Sequence, residues 1–437
     1  MPSKTAQMAG ALDNIHPGLS QQEAIRLLMA PLETLESQSD PYMAAAHLIN
    51  FPGEATEQAL LRLVIDAEQA QPRRLARRKA VEVLARLGCR DAIPSIGRCL
   101  QSDDPYLVEN AAFALKELRC QDAEIHATLV SLVDQPSQNQ RVLIQSLAAL
   151  GVDQALPSIQ KLLQADSPGV RGAAISAMAQ LGGGRESLQQ LEDSMLLPNQ
   201  MDRQSAIQDA IDAHAVELLP QILKAPVSPV FRMRAVKALW PQDVVRLGEL
   251  NLFSVLDALV EDRPECLQVV HAYDQDPTNE FLIQEFFGTD FSRCYLALQN
   301  LASRSAEDLW PLLHRRWLDE AHNDYGAHYF FIRLFALLGD TWPQDARAMI
   351  QHILEEAIKT PRPQFMKSKP AAVLALSQLG FLHSDAQFKT LLDPTLTSFW
   401  ECRYAAVMVA PKTFLQGALN DPSPFVAARA SEFNKAV

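Results

Sequence analysis

In the first half of this chain a leucine closes a helix-like stretch every 31 or 32 residues, at Leu87, Leu118, Leu150 and Leu181. The contexts repeat as well, as in Leu84-Ala85-Arg86-Leu87-Gly88, Leu147-Ala148-Ala149-Leu150-Gly151 and Met178-Ala179-Gln180-Leu181-Gly182. Pro94, Pro157 and Pro220 are spaced by 63 residues, and the dipeptides Asp104-Pro105 and Ser167-Pro168 share that spacing. A period near 31 with no strand alternation predicts an all-α stack of antiparallel helix pairs. Proline suits the first turn of a helix, where its missing N–H is not needed. Glycine after the last leucine supplies the left-handed cap. No single pair can bury its apolar face alone, so the pairs must share one continuous core.

The reading divides the chain into three stretches. Residues 1–20 are small and polar, a loose arm. Residues 21–228 carry the repeats, with Asp40-Pro41 starting a helix. Residues 229–437 are expected to continue the same solenoid with longer helices, over 281–287, 291–301, 309–321, 327–338 and 346–359, and a loop at Arg362-Pro363-Gln364-Phe365. Composition shifts sharply there. All five tryptophans, five of seven tyrosines and sixteen of eighteen phenylalanines follow residue 228, which predicts an aromatic-rich surface on the second half.

Several function classes are excluded or weakened. A net charge of −13 disfavours nucleic acid, whose phosphates need clustered cations in excess. The six cysteines contain no CxxC and no close pair, which disfavours a zinc site or a disulfide framework. No stretch approaches the length of a membrane span, and the first ten residues have no long apolar run, so a cytoplasmic protein is expected. P-loop, GxSxG and HExxH motifs are missing. No His-Glu dipeptide occurs, which argues against a di-iron centre of the kind some helical-repeat hydroxylases carry.

Two segments concentrate chemistry. Residues 284–295 hold Glu285, Phe286, Phe287, Asp290, Phe291, Arg293, Cys294 and Tyr295, interrupted by Gly288-Thr289. This is either a helix junction capped by Thr289 or Asp290 or an aromatic wall with charges at its edge. The second segment is Asp324-Tyr325-Gly326-Ala327-His328-Tyr329. If its helix reaches back to Asp324, then Asp324 pairs with His328 and Tyr325 with Tyr329 on shared faces, and a carboxylate beside an imidazole moves protons near neutrality. Otherwise Asp324 is a cap. Cys294 reads as an inert core thiol. The run Arg73, Arg74, Arg77, Arg78 and Lys79 reads as a solvated face. Arg141, Arg171, Arg232, Arg234 and Arg403 are either paired within the repeats or form a carboxylate-binding row.

The Ala-rich helix pairs and the run from Phe281 to Tyr295 resemble the HEAT-like phycobilin lyases of the E/F clan, in particular long single-chain members that act on phycoerythrin. The likeness spans roughly residues 40–437, and the segments 281–295 and 324–329 are its most specific parts. It implies a HEAT-like α-solenoid wound as a right-handed superhelix. It also implies an enzyme that attaches phycoerythrobilin, through a thioether, to a cysteine of the phycoerythrin α-subunit. Some such members also isomerise the bilin to phycourobilin by moving the C4–C5 double bond to C2–C3. The bilin is substrate, so no prosthetic group is expected, and the acceptor thiol belongs to the partner. A bilin needs aromatic walls, a carboxylate under its pyrrole N–H groups and cations for its propionates. Phe286, Phe287, Phe291, Tyr295, Tyr325 and Tyr329 are candidate walls. Asp290 or Asp324 are candidates for the N–H groups, and Arg232, Arg234, Arg293 or Arg333 for the propionates. Asp324 with Tyr325 or His328 is the candidate proton-transfer group. Two other classes remain open at this point: a non-catalytic HEAT scaffold, and a chaperone that carries bilin without forming a bond.

Overall fold

The computed structural model describes residues 16, 18–242 and 244–435. Most of the expected N-terminal arm therefore lies outside the described residues. The chain forms two compact units, one ending at Leu188 and the other running from Gln189. The compositional shift at residue 228 falls inside the second.

The first unit is a regular two-layer stack. Helices Gln71–Arg86, Pro105–Glu117, Gln140–Ala149 and Pro168–Gln180 pack side by side in one layer. Helices Glu54–Ile65, Ile93–Cys99, Ala123–Val133 and Leu156–Lys161 alternate with them in the other. The repeat punctuation acts as expected. Pro105 and Pro168 open their helices, and Pro94 and Pro157 sit in the first turn of theirs. Gly88, Gly151 and Gly182 adopt φ of 74°, 70° and 79° just beyond helix ends, and Arg119 takes the same role at 52°. Alanines 76, 80, 111, 112, 173 and 174 are essentially inaccessible, which lets neighbouring helices approach closely.

The basic run is not a solvated face. Arg73 and Arg77 are buried, and their guanidinium groups donate to the carbonyls of Leu28 and Ala30 and of Asp66 and Glu68. Arg78 pairs with Asp104, the cap of the next layer helix. Four-residue spacing put Arg73 and Arg77 on one helical face, and that face points at open carbonyl ends of preceding elements. A guanidinium can satisfy several such acceptors at once.

The second unit begins in the same style, with Gln200–Asp212, Leu219–Lys224 and Pro229–Leu239, and then departs from it. A two-residue antiparallel hairpin, Arg246–Leu247 with Leu250–Asn251, turns at Gly248, a small exception to the expected absence of strands. It delivers helix Leu252–Glu261, which packs on Pro229–Leu239 and also on the distant helices Ser368–Gln378 and Trp400–Val409. Two polar links fix it there: Tyr404 Oη donates to Asp257 at 2.9 Å, and Arg429 pairs with the same carboxylate. The 31-residue period fades at this point because one helix leaves nearest-neighbour order.

Candidate functional site

The helix Phe291–Leu301 starts where Asp290 accepts from the Ser292 amide at 2.9 Å, which makes Asp290 its cap. The other partners of Asp290 are Arg203 and His271, the latter at 3.0 Å. Arg203 is fully buried and also donates to the Leu197 and Pro198 carbonyls at 2.7 and 2.8 Å. Arg293 pairs with Glu285 at 2.7 Å. Asp290 and Arg293 thus hold the junction together through ion pairs with Arg203, His271 and Glu285.

The two chemistry-rich segments do meet, and the contact is a core. Phe330 stacks on Phe286 at 5.3 Å between centroids and touches Phe291 and Tyr295 at 5.2 and 5.3 Å. Gly326 lies so close to the 286–288 turn that a Cβ there would stand 2.8 Å from the Phe286 carbonyl oxygen. Phe286, Tyr295, Phe330, Phe331 and Phe335 are fully buried, and Phe287 packs against Phe331 at 6.3 Å under the Arg316 guanidinium. The aromatic second half is therefore largely interior, contrary to the expected aromatic surface.

Beneath this core lies a polar knot. Asp262 ends helix Leu252–Glu261 in the left-handed conformation, with φ of 45°. Its carboxylate pairs with Arg232 and accepts the hydroxyls of Tyr295, at 2.6 Å, and Tyr329. Its backbone oxygen accepts from Arg333 at 2.9 Å. Burial opposes ionisation of Asp262, yet Arg232, Arg333 and the two hydroxyls hold its carboxyl below the usual carboxylate range. Arg232, Arg333 and Tyr295, offered as propionate or wall groups, are thus committed to a structural ion pair. Arg403 is likewise bound to Asp421 at 2.6 Å.

One cavity of about 450 Å³ collects what remains. Val230, Met233, Arg234 and Lys237 line it from a single stripe of helix Pro229–Leu239, the opposite stripe being core. Leu259 and Val260 close it from the crossing helix. Tyr325, Tyr329, Met366, Lys367, Phe399 and Glu401 complete the lining. Its size suits a cofactor-sized ligand. Of the expected residues it gathers Tyr325, Tyr329 and Arg234. Tyr325 is exposed at its mouth, as are Val230 and Met366. Arg234 and Lys237 are exposed at its edge.

Asp324 and His328 do not form the expected pair. The helix begins at Ala327, and Asp324 Oδ1 caps it by accepting from the Gly326 and Ala327 amides at 2.8 and 2.7 Å. His328 turns away, stacks on Phe365 at 4.1 Å, and bonds Ser368 Oγ through Nδ1 at 2.9 Å. It borders a separate hollow of about 550 Å³ with Trp317, His322 and His352. Burial, then the nearby Lys367, pushes the His328 imidazole down to about 4, so it is neutral at pH 7.

Two groups went unremarked in the sequence. Lys367 is buried, and its Nζ sits 3.2 Å from the Tyr325 ring centroid, with Phe291 and Tyr329 at 4.8 and 5.6 Å. Burial brings its ammonium down to about 7 against the pull of Cys294, Asp324 and Asp262. Glu401 lies in the first turn of helix Trp400–Val409, and burial raises its carboxyl to about 7. Neither Lys367 Nζ nor Glu401 Oε2 has a hydrogen-bond partner. A lysine amid Pro363, Phe365 and Met366, and an acid between Trp400 and Cys402, were the available signals.

Known proteins resemble this chain over most of its length. A family described as HEAT repeats matches residues 126–212, and one described as PBS lyase HEAT-like repeat matches residues 76–102. The bilin biosynthesis protein CpeY of Synechococcus sp. (strain WH8020) is 42% identical over 407 residues, covering 90% of this chain and 97% of that one. Phycocyanin operon protein Y of Pseudanabaena tenuis (strain PCC 7409) is 34% identical over 396 residues, covering 90% and 92%. The phycocyanobilin lyase subunit alpha of Thermosynechococcus vestitus (strain NIES-2133 / IAM M-273 / BP-1) is 30% identical over 204 residues, covering 42% of this chain and 72% of that one.

Proposed function

This chain belongs to the E/F clan of phycobilin lyases, and we propose that it attaches phycoerythrobilin, through a thioether, to a cysteine of the phycoerythrin α-subunit, with the pigment held in the 450 Å³ cavity of the second unit. The cavity carries this reading. Its lining is mainly aliphatic and aromatic, as a flat conjugated tetrapyrrole requires. Arg234 and Lys237 stand three residues apart on one exposed helix edge, where two propionates can be met without removing the cations from water. No cysteine lines the cavity, which suits a thiol supplied by the acceptor protein. Tyr325 at the mouth presents a ring face to the pigment. Tyr329 presents its ring while its hydroxyl stays bound to Asp262.

The test is to mix purified protein with phycoerythrobilin and apo-α-subunit. A lyase leaves covalent fluorescence on the subunit after denaturation. Bound colour without transfer would mean a carrier, and an unchanged visible spectrum would mean a scaffold. Either result overturns the proposal. The product spectrum also reports isomerisation, being phycoerythrobilin-like if the C4–C5 double bond stays and blue-shifted, phycourobilin-like, if it moves to C2–C3.

A further inference from the structure

Among the residues lining the 450 Å³ cavity, Lys367 and Glu401 are the two that leave a buried polar side-chain atom unpaired. Buried polar atoms are nearly always hydrogen-bonded, and an unpaired buried charge is costly. Yet Lys367 Nζ and Glu401 Oε2 both line one apolar cavity without a hydrogen-bond partner. Nor do the two form an ion pair with each other within 4 Å. The arrangement is built rather than slack. Three rings surround the Lys367 ammonium, and a cation over aromatic faces is favoured by their quadrupoles. The Glu401 carboxyl is held by its own backbone amide and the Trp400 indole, with Lys237 and Arg403 nearby, while its Oε2 is left without a partner. Asp324, Asp262 and Cys294 are the groups that bear on Lys367.

We propose that Lys367 and Glu401 are the proton-handling pair of the attachment reaction, Lys367 accepting the proton of the acceptor thiol and Glu401 delivering one to the tetrapyrrole. This rests on the reading of the cavity given above. The acceptor S–H proton passes to the neutral Lys367 amine as sulfur bonds to the exocyclic ethylidene carbon of ring A. The ethylidene π pair moves onto the ring carbon and takes a proton from the Glu401 carboxyl. One S–C and one C–H bond form, one S–H bond and one C=C π bond break, and no electron is gained or lost. Proton return from the Lys367 ammonium to the Glu401 carboxylate through solvent resets the site. Burial brings both groups to about 7, so each is available in either state near neutrality, the condition general acid–base catalysis favours.

The experiment follows single-turnover transfer of phycoerythrobilin to the α-subunit from pH 5 to 9, with pigment binding read by visible absorbance in the same samples. Wild type should give a bell centred near neutrality. Its acid limb should reflect protonation of Lys367 and its alkaline limb ionisation of Glu401. Lys367→Arg keeps the charge but cannot lose its proton. It should bind pigment, transfer at least about tenfold more slowly, and lack the acid limb. Glu401→Gln should bind pigment, slow transfer similarly, and lack the alkaline limb. Glu401→Asp should restore part of the rate. A wild-type bell that survives both substitutions at undiminished rate overturns the pair and leaves the cavity reading standing. Failure of the wild-type chain to transfer pigment at any pH overturns the cavity reading itself.

Discussion

The Asp324 carboxylate oxygen stands 2.7 Å from the Ala327 amide nitrogen, so the acid that precedes the exposed Tyr325 fixes the start of a helix. It also lies near enough to Lys367 to favour its ammonium form. Both relations make it a positioning residue for the cavity wall.

Replacing Asp324 by alanine should therefore cost on the order of 1 kcal/mol of stability through loss of the cap, and Asp324→Asn distinctly less. In Asp324→Asn the pull on the Lys367 proton is gone, so the amine frees itself at lower pH. The acid limb of the transfer profile should shift to lower pH with the maximal rate retained. Thermal unfolding and the pH–rate profile check the two halves separately. A large fall in rate at every pH would make Asp324 itself a proton-transfer group.

Asp262→Asn should be far more damaging to folding. It leaves the Arg232 guanidinium buried without its counter-charge, a loss of about 3–5 kcal/mol. The wild-type carboxyl is depressed in the fold, so its stabilisation is full above its unfolded value near 4 and is lost as pH falls through the folded value. The stability gap between variant and wild type should narrow below about pH 4. Denaturant titrations at pH 7 and pH 3 would reveal a constant gap if the carboxylate were not the cause.

His328 behaves in the opposite setting. Its imidazole is pushed down to about 4 by burial, against about 6.5 in an unfolded chain. Folding favours the neutral ring, so the contribution is whole above about 6.5 and is lost as pH falls from there toward 4. Wild type should lose more stability than His328→Gln between pH 7 and pH 5, while transfer by the variant keeps the wild-type pH profile. Loss of the profile would return His328 to the chemistry.

Gly326→Ala places a Cβ 2.8 Å from the Phe286 carbonyl oxygen, a backbone atom that cannot swing aside. A cost of about 1–3 kcal/mol is expected. Because Tyr325 adjoins Gly326, pigment affinity should drop as well. Unfolding and absorbance titrations on the same preparation test the link between core and cavity.

How much of this was legible in the sequence depends on range. Local chemistry was read well: helices Phe291–Leu301 and Ala327–Leu338 begin and end at the expected residues, because Asp290 caps one and Gly339 terminates the other. Asp290 was among the two caps considered. The partners of those helices were not legible. Asp262 lies 67 residues before Tyr329 and 30 after Arg232, and no spacing rule connects them. The aromatic clustering of the second half was visible, but whether rings face water or each other depends on helix Leu252–Glu261 leaving nearest-neighbour order. The cavity was hidden for the same reason. Lys237, Lys367 and Glu401 come together only because that helix touches three others, whereas Arg234, Tyr325 and Tyr329 reached it as members of segments already singled out.

The most direct measurement is an absorbance titration of phycoerythrobilin into wild-type protein and into Met233→Trp, whose indole would fill the cavity from the Pro229–Leu239 helix while both Lys367 and Glu401 are retained in the chain. The account predicts saturable binding with a changed visible spectrum for wild type. It predicts affinity lowered tenfold or more for the variant, with unaltered far-ultraviolet circular dichroism. A Met233→Trp protein that takes up pigment with wild-type affinity and transfers it at the wild-type rate would contradict the assignment of this cavity as the bilin site.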